Sequence, residues 1–361
     1  MPTINLAEKY SQKVIERFAQ ESITESMYSK EYEPEFVGVK TVKIYEIGTA
    51  PVNDYNRNGG FSRYGTPSDL NDSLIELQMT QDKSSTWTID KGNQKEQFNI
   101  KQAGETLKRQ LREVYAPMID KYRLAKWLGG AGTTVTAANA PGKSTLVGLM
   151  LDMNAALDDK FVPQDGRTFI IPSTYYKTLL LSDEFTHSDS LTTKHLSKGL
   201  TGELFGVPVK KVPNSYLPAG VYFAEIYKGA IIAPVKLQDY KINNSPQGIS
   251  GDLVEMRLMH DAFVLGSHRD GIAICAAAAS IVANPTVAWS SYVATITSTT
   301  AGATIYYTDD GSDPRCSNTR KLYDSSSKPT YSATNTPAIR VAAVKEGLFD
   351  SQSVDTVPAA S

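Results

Sequence analysis

The sequence predicts an α+β protein that ends in a separate small β-domain. Residues 102–126 carry apolar side chains at helical spacing, whereas several other segments alternate apolar and polar residues as strands do. At about Ala278 the composition changes, and the residues that follow are rich in Ser, Thr, Ala and Tyr without helical periodicity. A mixed core followed by an all-β unit accounts for these observations.

The segment 102–126 is predicted to be one long helix with a single apolar face. Pro117 removes a backbone donor inside the pattern and should kink the helix, and Gly129 with Gly130 should end it. The apolar positions are Leu107, Leu111, Val114, Met118, Tyr122 and Ala125. The polar face is predicted to carry Lys108, Arg109, Arg112, Glu113, Asp120, Lys121 and Arg123.

The part of the chain before this helix is predicted to extend outward. Residues 1–35 are polar with few apolar positions, which is typical of an arm that docks on something else, or else of a frayed N-terminal helix. Residues 36–47 predict a strand, and residues 48–72 a projecting loop rich in turn-forming residues. Alternation from Ile75 to Ile89, with a polar turn at 81–85, predicts a β-hairpin. A lone hairpin is marginally stable, so we expect its apolar face to be covered by an adjacent subunit.

The elements after the long helix alternate between helix and strand. We expect a connector at 128–144, a helix at 145–159 capped by Ser144, a strand at 167–172 and a helix from Ser173 to about Phe185. Strands follow within 198–215 and 220–235. Residues 254–258, 262–265 and 272–277 predict a final antiparallel arrangement that turns at 267–271. Short strands around 287–289, 303–307, 339–344 and 354 complete the C-terminal β-domain.

The bulk composition excludes several classes of function. A chain of 361 residues with a net charge of −2 lacks the concentrated positive charge of a dedicated nucleic-acid-binding protein. Its two cysteines, Cys275 and Cys316, are too few for a disulfide framework, so a reducing compartment is expected. No apolar run reaches the length of a membrane span, and the N-terminus lacks a signal-peptide core. We therefore expect the protein to act, or at least to assemble, in a cytoplasm.

The order of arm, extended hairpin, long helix and inserted domain resembles the major capsid proteins of tailed bacteriophages, which have the HK97 coat fold. The resemblance covers roughly residues 1–280. It places an N-terminal arm at 1–35 and a capsid core at 36–281. The core divides into an extended loop at about 40–97, a spine helix at about 102–127 and an axial domain at about 145–250. Its most recognisable pieces are LIELQMTQDKSSTWTID, RTFIIPS and GLTGELFGVPVKKVPNS.

The C-terminal segment 282–361 resembles a second family. The sequences ATITSTTAGATIYYTDDGSDP and IRVAAVKEGLFDS are similar to the small immunoglobulin-like domain found at the C-terminus of chitobiases and in many bacterial surface and phage proteins. The resemblance implies a surface decoration domain, and carbohydrate or a host surface as its partner. No binding residue can be assigned to it.

The first resemblance implies a structural protein of the virion rather than an enzyme. Its copies would assemble in the bacterial cytoplasm into hexamers and pentamers of an icosahedral shell around double-stranded DNA, without a sequence-specific DNA site. The partners implied are a separate scaffolding protein, a portal and decoration proteins, with no membrane. Two alternatives remain open, namely an adhesion or carbohydrate-binding protein that acts through its C-terminal domain, and an encapsulin-like compartment shell.

No catalytic, cofactor-binding or metal site is predicted. The acidic groups Asp158–Asp159 and Asp309, Asp310 and Asp313 are interpreted as solvated ends and turns. The histidines His187, His195, His260 and His268 have no metal-binding spacing. Some capsids of this fold join subunits by Lys–Asn isopeptide bonds, but nothing marks a partner for Lys83 or Lys91, so no cross-link is predicted.

One segment fits a loose form of the phosphate-binding loop. Ala137 to Ser144 ends in Gly142, Lys143 and Ser144. However, the first glycine is replaced by Ala137, Pro141 removes a donor, and no buried apolar strand is expected before it. Nucleotide binding is therefore not predicted.

Overall fold

The computed structural model describes residues 22–32, 41–47, 52, 54–58, 63–65, 72–91, 103–182, 202–244, 246–332 and 337–359. Much of the predicted arm and of the projecting loop lies outside these ranges, as do His187 and His195. Within them the chain is a mixture of helices and strands, as predicted.

A mixed six-stranded sheet lies at the centre of the molecule, in the order β4-β13-β8-β5-β7-β6. Its strands are β4 (Thr133–Ala137), β5 (Arg167–Pro172), β6 (Glu203–Leu204), β7 (Val207–Val212), β8 (Val221–Tyr227) and β13 (Ile272–Ala277). The pairs β4–β13 and β5–β7 are parallel and the others antiparallel. Apolar clusters cover both faces of the sheet, which explains why β5, β8 and β13 are nearly continuous apolar runs.

The long helix consists of three segments, and its C-terminal part packs on one face of this sheet. α1 (Ala103–Gln110) leads into a π-helical turn at Leu111–Tyr115, and α2 (Ala116–Gly129) follows. Leu124, Trp127 and Leu128 of α2 are fully buried against the sheet. The other face of the sheet packs against α3 (Leu146–Asp158) and α4 (Ser173–Leu180).

The π-helical turn corrects the predicted helix face. The N–H of Ala116 bonds to the carbonyl of Leu111, five residues back, directly before Pro117. One extra residue in a turn rotates all later side chains by about 100°. Val114 and Ala125 are therefore exposed, whereas Asp120 and Arg123, predicted to face solvent, are each only 2% exposed.

The helix ends at Gly129, as predicted, but Gly130 serves a packing purpose. Its φ of −92° is accessible to any residue. A Cβ atom at Gly130 would lie 2.7 Å from Cγ2 of Val264, so the glycine permits close packing rather than a left-handed cap.

The predicted hairpin between Ile75 and Ile89 is wrong. β2 (Asp72–Gln78) pairs with β1 (Thr41–Ile47) in a two-stranded sheet. β3 (Gln81–Asp90), which contains the predicted turn, pairs instead with β11 (Gly251–His260) over ten residue pairs. The partner strand β11 offers a longer ladder than a hairpin could, and only Met79 and Thr80 separate the two sheets.

β11 lies at the centre of a three-stranded sheet in the order β10-β11-β3, with β10 at Val235–Asn244. Met256 and Leu258 of this sheet pack on Tyr115 and on the apolar side chains of α1 and the π-helical turn. The buried residues Val254, Met256 and Leu258 alternate as predicted.

The predicted final antiparallel arrangement is also wrong. β12 (Phe263–Val264) pairs with β9 (Ile231–Ile232), and β13 returns to the six-stranded sheet between β4 and β8. A 3-10 segment, Gly266–Gly271, makes the connection in place of a hairpin turn.

The C-terminal β-domain contains two small sheets. β14 (Thr286–Ser290) pairs with β15 (Val293–Thr297). The second sheet has the order β17-β16-β18-β19, with strands Lys321–Leu322, Thr304–Thr308, Ile339–Val344 and Val354–Thr356. Ala294, Ile296, Ile339 and Val341 form a core between the sheets that is separate from the other apolar clusters.

Candidate functional site

The N-terminal segment 22–28 is held against the long helix by the buried carboxylate of Asp120. Its Oδ1 accepts hydrogen bonds from the hydroxyls of Ser22 (2.7 Å) and Thr24 (2.5 Å), and its Oδ2 accepts one from the N–H of Ile23 (2.8 Å). Lys210 on β7 donates to the carbonyl of Ile23 at 3.1 Å. The described part of the arm that was predicted to dock on something else therefore docks on the long helix of its own chain.

Arg123 extends this contact one helical turn further. Its guanidinium donates to Oγ1 of Thr24 (3.1 Å) and to Glu25 (3.0 Å), and it stacks 4.9 Å from the ring centre of Tyr28. Although burial raises the pKa of Glu25, the hydrogen bond and charge of Arg123 bring it below its usual value. Tyr28 in turn packs on Trp127, so polar and apolar contacts fix the same segment.

A second polar cluster lies at the corner between β2 and β3. Asp261 accepts hydrogen bonds from the N–H of Thr80 (2.6 Å), from its hydroxyl (2.9 Å) and from the hydroxyl of Tyr122 on α2 (2.7 Å). Burial and the hydrogen bond to Asp261 raise the pKa of Tyr122 to about 12. Hydrogen bonds through Asp261 therefore connect the corner between β2 and β3 to α2 of the long helix.

His260, next to this corner, is buried and neutral. Its ring meets Tyr122 edge-on, with 5.5 Å between ring centres, and neither ring nitrogen has a hydrogen-bond partner. Burial lowers its pKa to about 4, and the nearby charge of Arg123 acts in the same direction. The histidine predicted to be ordinary is a packing residue with no ligand geometry.

A buried charge pair lies within the six-stranded sheet. Arg167 donates to the carboxylate of Asp158 at 2.7 Å, and its guanidinium lies 3.9 Å from Glu225, whose two oxygens accept no hydrogen bond. Burial raises the pKa of Glu225 to about 7, and the charge of Arg167 opposes that rise only in part. Asp158 stays solvent-accessible, as predicted, with 46% of its side chain exposed, and it also stabilises the buried guanidinium of Arg167.

The C-terminal β-domain is docked on the core through a second buried arginine. Arg315 donates to the carbonyls of Gly132 (3.1 Å) and Ser351 (3.3 Å) and pairs with Asp313 at 2.5 Å. Burial raises the pKa of Asp313, but Arg315 outweighs it and holds that pKa below its usual range. Asp313, predicted to be a solvated turn residue, is therefore part of an interface between the two parts of the chain.

The remaining acidic residues of that turn are occupied locally. Asp310 accepts hydrogen bonds from Ser312 and Thr319, and Asp309 pairs with Lys321 at 2.6 Å. No group of three or more side chains suited to a metal ion occurs among the residues that the structure describes.

The predicted connector at 128–144 is wrong in part, because it contains the strand β4 directly before the phosphate-loop-like segment. β4 is polar and only its two end residues are buried, so it is not the buried apolar strand that a phosphate-binding loop follows. In addition, the N–H of Gly142 bonds to Oγ1 of Thr145 at 2.9 Å and is not free for a phosphate. Thr145, not Ser144, occupies the N-cap position of α3.

The start of α4 also differs from the prediction. The hydroxyl of Ser173 donates to the carbonyl of Val212 at 3.2 Å instead of capping the helix. Oδ1 of Asn214 accepts the N–H of Thr174 at 3.2 Å and so caps the helix from another element. α4 ends at Leu180, before the predicted end.

Lys83 and Lys91, the lysines for which a cross-link was weighed, lie near the two ends of β3, an edge strand of the three-stranded sheet. Lys83 is an exposed residue of β3 that pairs with Leu258, and the backbone N–H of Lys91 bonds to Ser250 at 2.8 Å. The absence of a cross-link remains a prediction.

The key residues of this site could not be assigned from the sequence. A regular helix would place Asp120 and Arg123 on a solvated face with other charged residues, and Asp261 follows a strand without any motif. The only available signal was Pro117, which marks the place where the helix departs from regular spacing.

Comparison with solved structures identifies the fold as that of phage capsid subunits. The chain is similar to structures of Mycobacterium phage Che8 (18% identity, TM-score 0.59, covering 75% of this chain and 97% of that one). It is also similar to the capsid of Cyanophage P-SCSP1u (15%, 0.63, 76% and 93%) and to the mature capsid of bacteriophage PhiM1 (10%, 0.57, 76% and 92%). The predicted fold is confirmed.

The C-terminal domain is similar to a different family. The family model described as "Fn3 associated" matches residues 294–356. This confirms the predicted immunoglobulin-like unit. No curated protein matches the chain in sequence. Among the described residues, no helix is both long and apolar enough to cross a membrane.

Proposed function

We propose that this chain is a major capsid protein, of which many copies form the shell of a phage head around double-stranded DNA. The observation that carries the proposal is the likeness to phage capsid chains over three quarters of this chain and more than nine tenths of each of theirs. We further propose hexamers and pentamers as the assembly units, a separate scaffolding protein and a portal as partners, and no enzymatic activity.

The arrangement of charges and contacts is consistent with a mechanical role. The near-neutral net charge suits a container wall better than a tight DNA site. The polar anchors described above hold the N-terminal segment, the β1–β2 pair and the C-terminal domain to one long helix and one sheet. These three parts of the chain are therefore held in fixed positions on the subunit. A subunit whose edges contact neighbours needs such fixed positions.

The division into an arm at 1–35, a core at 36–281 and an immunoglobulin-like domain at 282–361 belongs to the same proposal. Buried contacts of Arg315 with Gly132 favour a C-terminal domain that moves with the shell subunit. They do not favour an adhesin in which that domain acts independently. The virion surface is the proposed location, and the host cytoplasm the proposed place of assembly.

Electron microscopy of the purified full-length protein tests the proposal. Closed shells or rings in negative stain are expected, with or without a co-expressed scaffolding protein from the same genome. A protein that stays monomeric at every concentration under both conditions would refute the proposal.

A loop-shortened variant sharpens this test. Ile47 pairs with Asp72, so residues 48–71 can be replaced by Asn-Gly, the preferred two-residue hairpin turn. The variant should fold with unchanged circular dichroism but fail to form shells, because the projecting loop is proposed to contact a neighbour. Shells of normal size from this variant would show that the loop is dispensable.

A further inference from the structure

Two phenylalanines occupy backbone conformations that normally require glycine or asparagine. Phe161 has a φ of 57° and Phe205 a φ of 55°, both in the left-handed region. Their side chains are also turned outward, with 94% of Phe161 and 44% of Phe205 exposed. Within the folded chain, these residues combine unfavourable backbone conformations with exposed apolar surface.

Phe161 stands at the glycine position of a helix C-terminal motif. The N–H of Phe161 bonds to the carbonyl of Asp158 (2.9 Å), and that of Val162 bonds to the carbonyl of Leu157 (3.1 Å). These two bonds define a Schellman motif, in which the left-handed residue is usually glycine because it has no Cβ atom. Folding alone would therefore favour glycine at position 161.

Phe205 stands at the first central position of a two-residue hairpin turn. Leu204 pairs with Val207 across the turn, and Gly206 also has a positive φ of 77°. Two left-handed central residues make a type I′ turn, for which Asn-Gly is the preferred sequence. As at position 161, an exposed phenyl ring replaces the residue that the backbone favours.

The two phenylalanines belong to segments at opposite edges of the six-stranded sheet. Phe161 follows Lys160, whose ammonium group approaches the carbonyl of Gly132 (3.4 Å), next to the edge strand β4. Phe205 joins β6 to β7 at the other end of the strand order. One copy can therefore present a phenyl ring to a neighbour on each side.

We propose that Phe161 and Phe205 are contact residues between copies of this chain, with the β4 side of one copy facing the β6 side of the next. The inference rests on the proposed shell function and specifies which surfaces meet. Contacts between two different surfaces of identical subunits close into rings when the rotation allows it. Hexamers and pentamers are such rings.

The two rings account for a limited but definite part of one interface. A phenylalanine can bury about 150–250 Å². Because Phe161 is 94% exposed and Phe205 44% exposed, the two rings, one from each partner, would bury about 200–350 Å² of the roughly 1,600 Å² in a standard interface. Burial of the two rings on a neighbour would also offset the free-energy cost of the positive φ angles at these positions.

The test compares stability with assembly in the full-length chain. The variants are Phe161→Gly and Phe205→Asn. The control is Ser291→Gly, which relieves a φ of 50° at an exposed position of the C-terminal domain. All three substitutions should raise the thermal midpoint by a few degrees. Only the two phenylalanine variants should raise the critical concentration for assembly, by tenfold or more, in sedimentation and negative stain.

The outcomes separate the inference from the function on which it rests. If wild type and both phenylalanine variants assemble alike, the contact role is refuted and the shell function stands. If Phe161→Gly lowers the thermal midpoint, the strain argument fails. If wild type never assembles, the proposed function and this inference fall together.

Hydroxyl-radical footprinting provides a measurement that needs no variant. Oxidation of Phe161 and Phe205 in wild-type protein should be several-fold slower in assembled particles than in unassembled subunits. Leu322, which is 63% exposed on the C-terminal domain and lies outside the proposed contact surfaces, serves as an internal comparison within the same digest. Equal oxidation of both phenylalanines in the two states would overturn the inference.

Discussion

Replacing Asp120 by alanine should release the N-terminal segment from the long helix. The substitution removes the acceptor for three hydrogen bonds, from Ser22, Ile23 and Thr24, and leaves the N–H of Ile23 without a partner. Hydrogen bonds to a charged group contribute about 1.5–3 kcal/mol each, but the three share one carboxylate and do not add in full. We therefore expect a loss of about 3–5 kcal/mol, as when one partner of a buried polar cluster is removed.

The measurement combines urea unfolding with limited proteolysis. Trp127 packs against Tyr28, so its fluorescence should report detachment of the segment. Cleavage within residues 22–32 should accelerate strongly in Asp120→Ala, because proteolysis follows the population of the opened form. Asp152→Ala, at an exposed position of α3, is the matched control and should change stability by less than about 0.5 kcal/mol.

A double-mutant cycle with Thr24→Val makes the prediction specific. The hydroxyl of Thr24 donates to Asp120 and accepts from Arg123, so the two substitutions should show a coupling of about 1–3 kcal/mol. A coupling near zero, together with unchanged cleavage in Asp120→Ala, would refute the assignment of Asp120 as the anchor.

Three further predictions concern the buried charges and a close contact. The pKa of Glu225 is raised to about 7 by burial, so its contribution to stability is present below about pH 4.5 and is lost as the pH rises through 7. Glu225→Gln should therefore flatten the pH dependence of urea unfolding and raise stability at pH 8. Arg315→Met leaves Asp313 buried without its partner and should cost about 3–5 kcal/mol, seen by calorimetry as earlier melting. Gly132→Ala would place a Cβ atom 2.5 Å from the backbone of Arg269 and should destabilise the protein markedly in thermal unfolding.

Each of these three predictions has its own control or contrary result. A Glu225→Gln protein that keeps the wild-type slope between pH 5 and 8 would place the titration elsewhere. For Arg315→Met, an unchanged melting profile would mean that the two parts of the chain are held by other contacts. Gly148→Ala, at an open helical position with no atom within 4 Å, should instead stabilise the protein by about 0.5–1 kcal/mol.

Many elements were predicted well, because the apolar spacing within a segment is enough to indicate a strand or a helix there. The strands Arg167–Pro172 and Ile339–Val344 lie where their apolar residues predict them, and the buried face of α3 matches its helical spacing. Pairing partners could not be predicted in the same way. The alternation from Ile75 to Ile89 fits a hairpin as well as two strands of different sheets, because the residues that decide it lie in β11, far along the chain.

The errors at the candidate site have a similar physical cause. A single π-helical turn changes which residues of α2 face the sheet, and nothing in the local spacing distinguishes it from a kink at Pro117. The sequence of β4, TTVTA, is small and polar and therefore favours a connector over a strand. Its β-branched residues were the available signal for a strand.

The two-residue corner at Met79 and Thr80 joins two sheets that are supported in different ways. β3 pairs with β11 along its whole length, and the N–H of Thr80 donates to the carboxylate of Asp261, which also accepts the hydroxyl of Tyr122 on the long helix. The β1–β2 pair instead packs on β9 through an apolar cluster that includes Leu77 and Met79. Displacing this pair relative to β3 would therefore break apolar contacts as well as the hydrogen bonds at the corner, so both fix its direction.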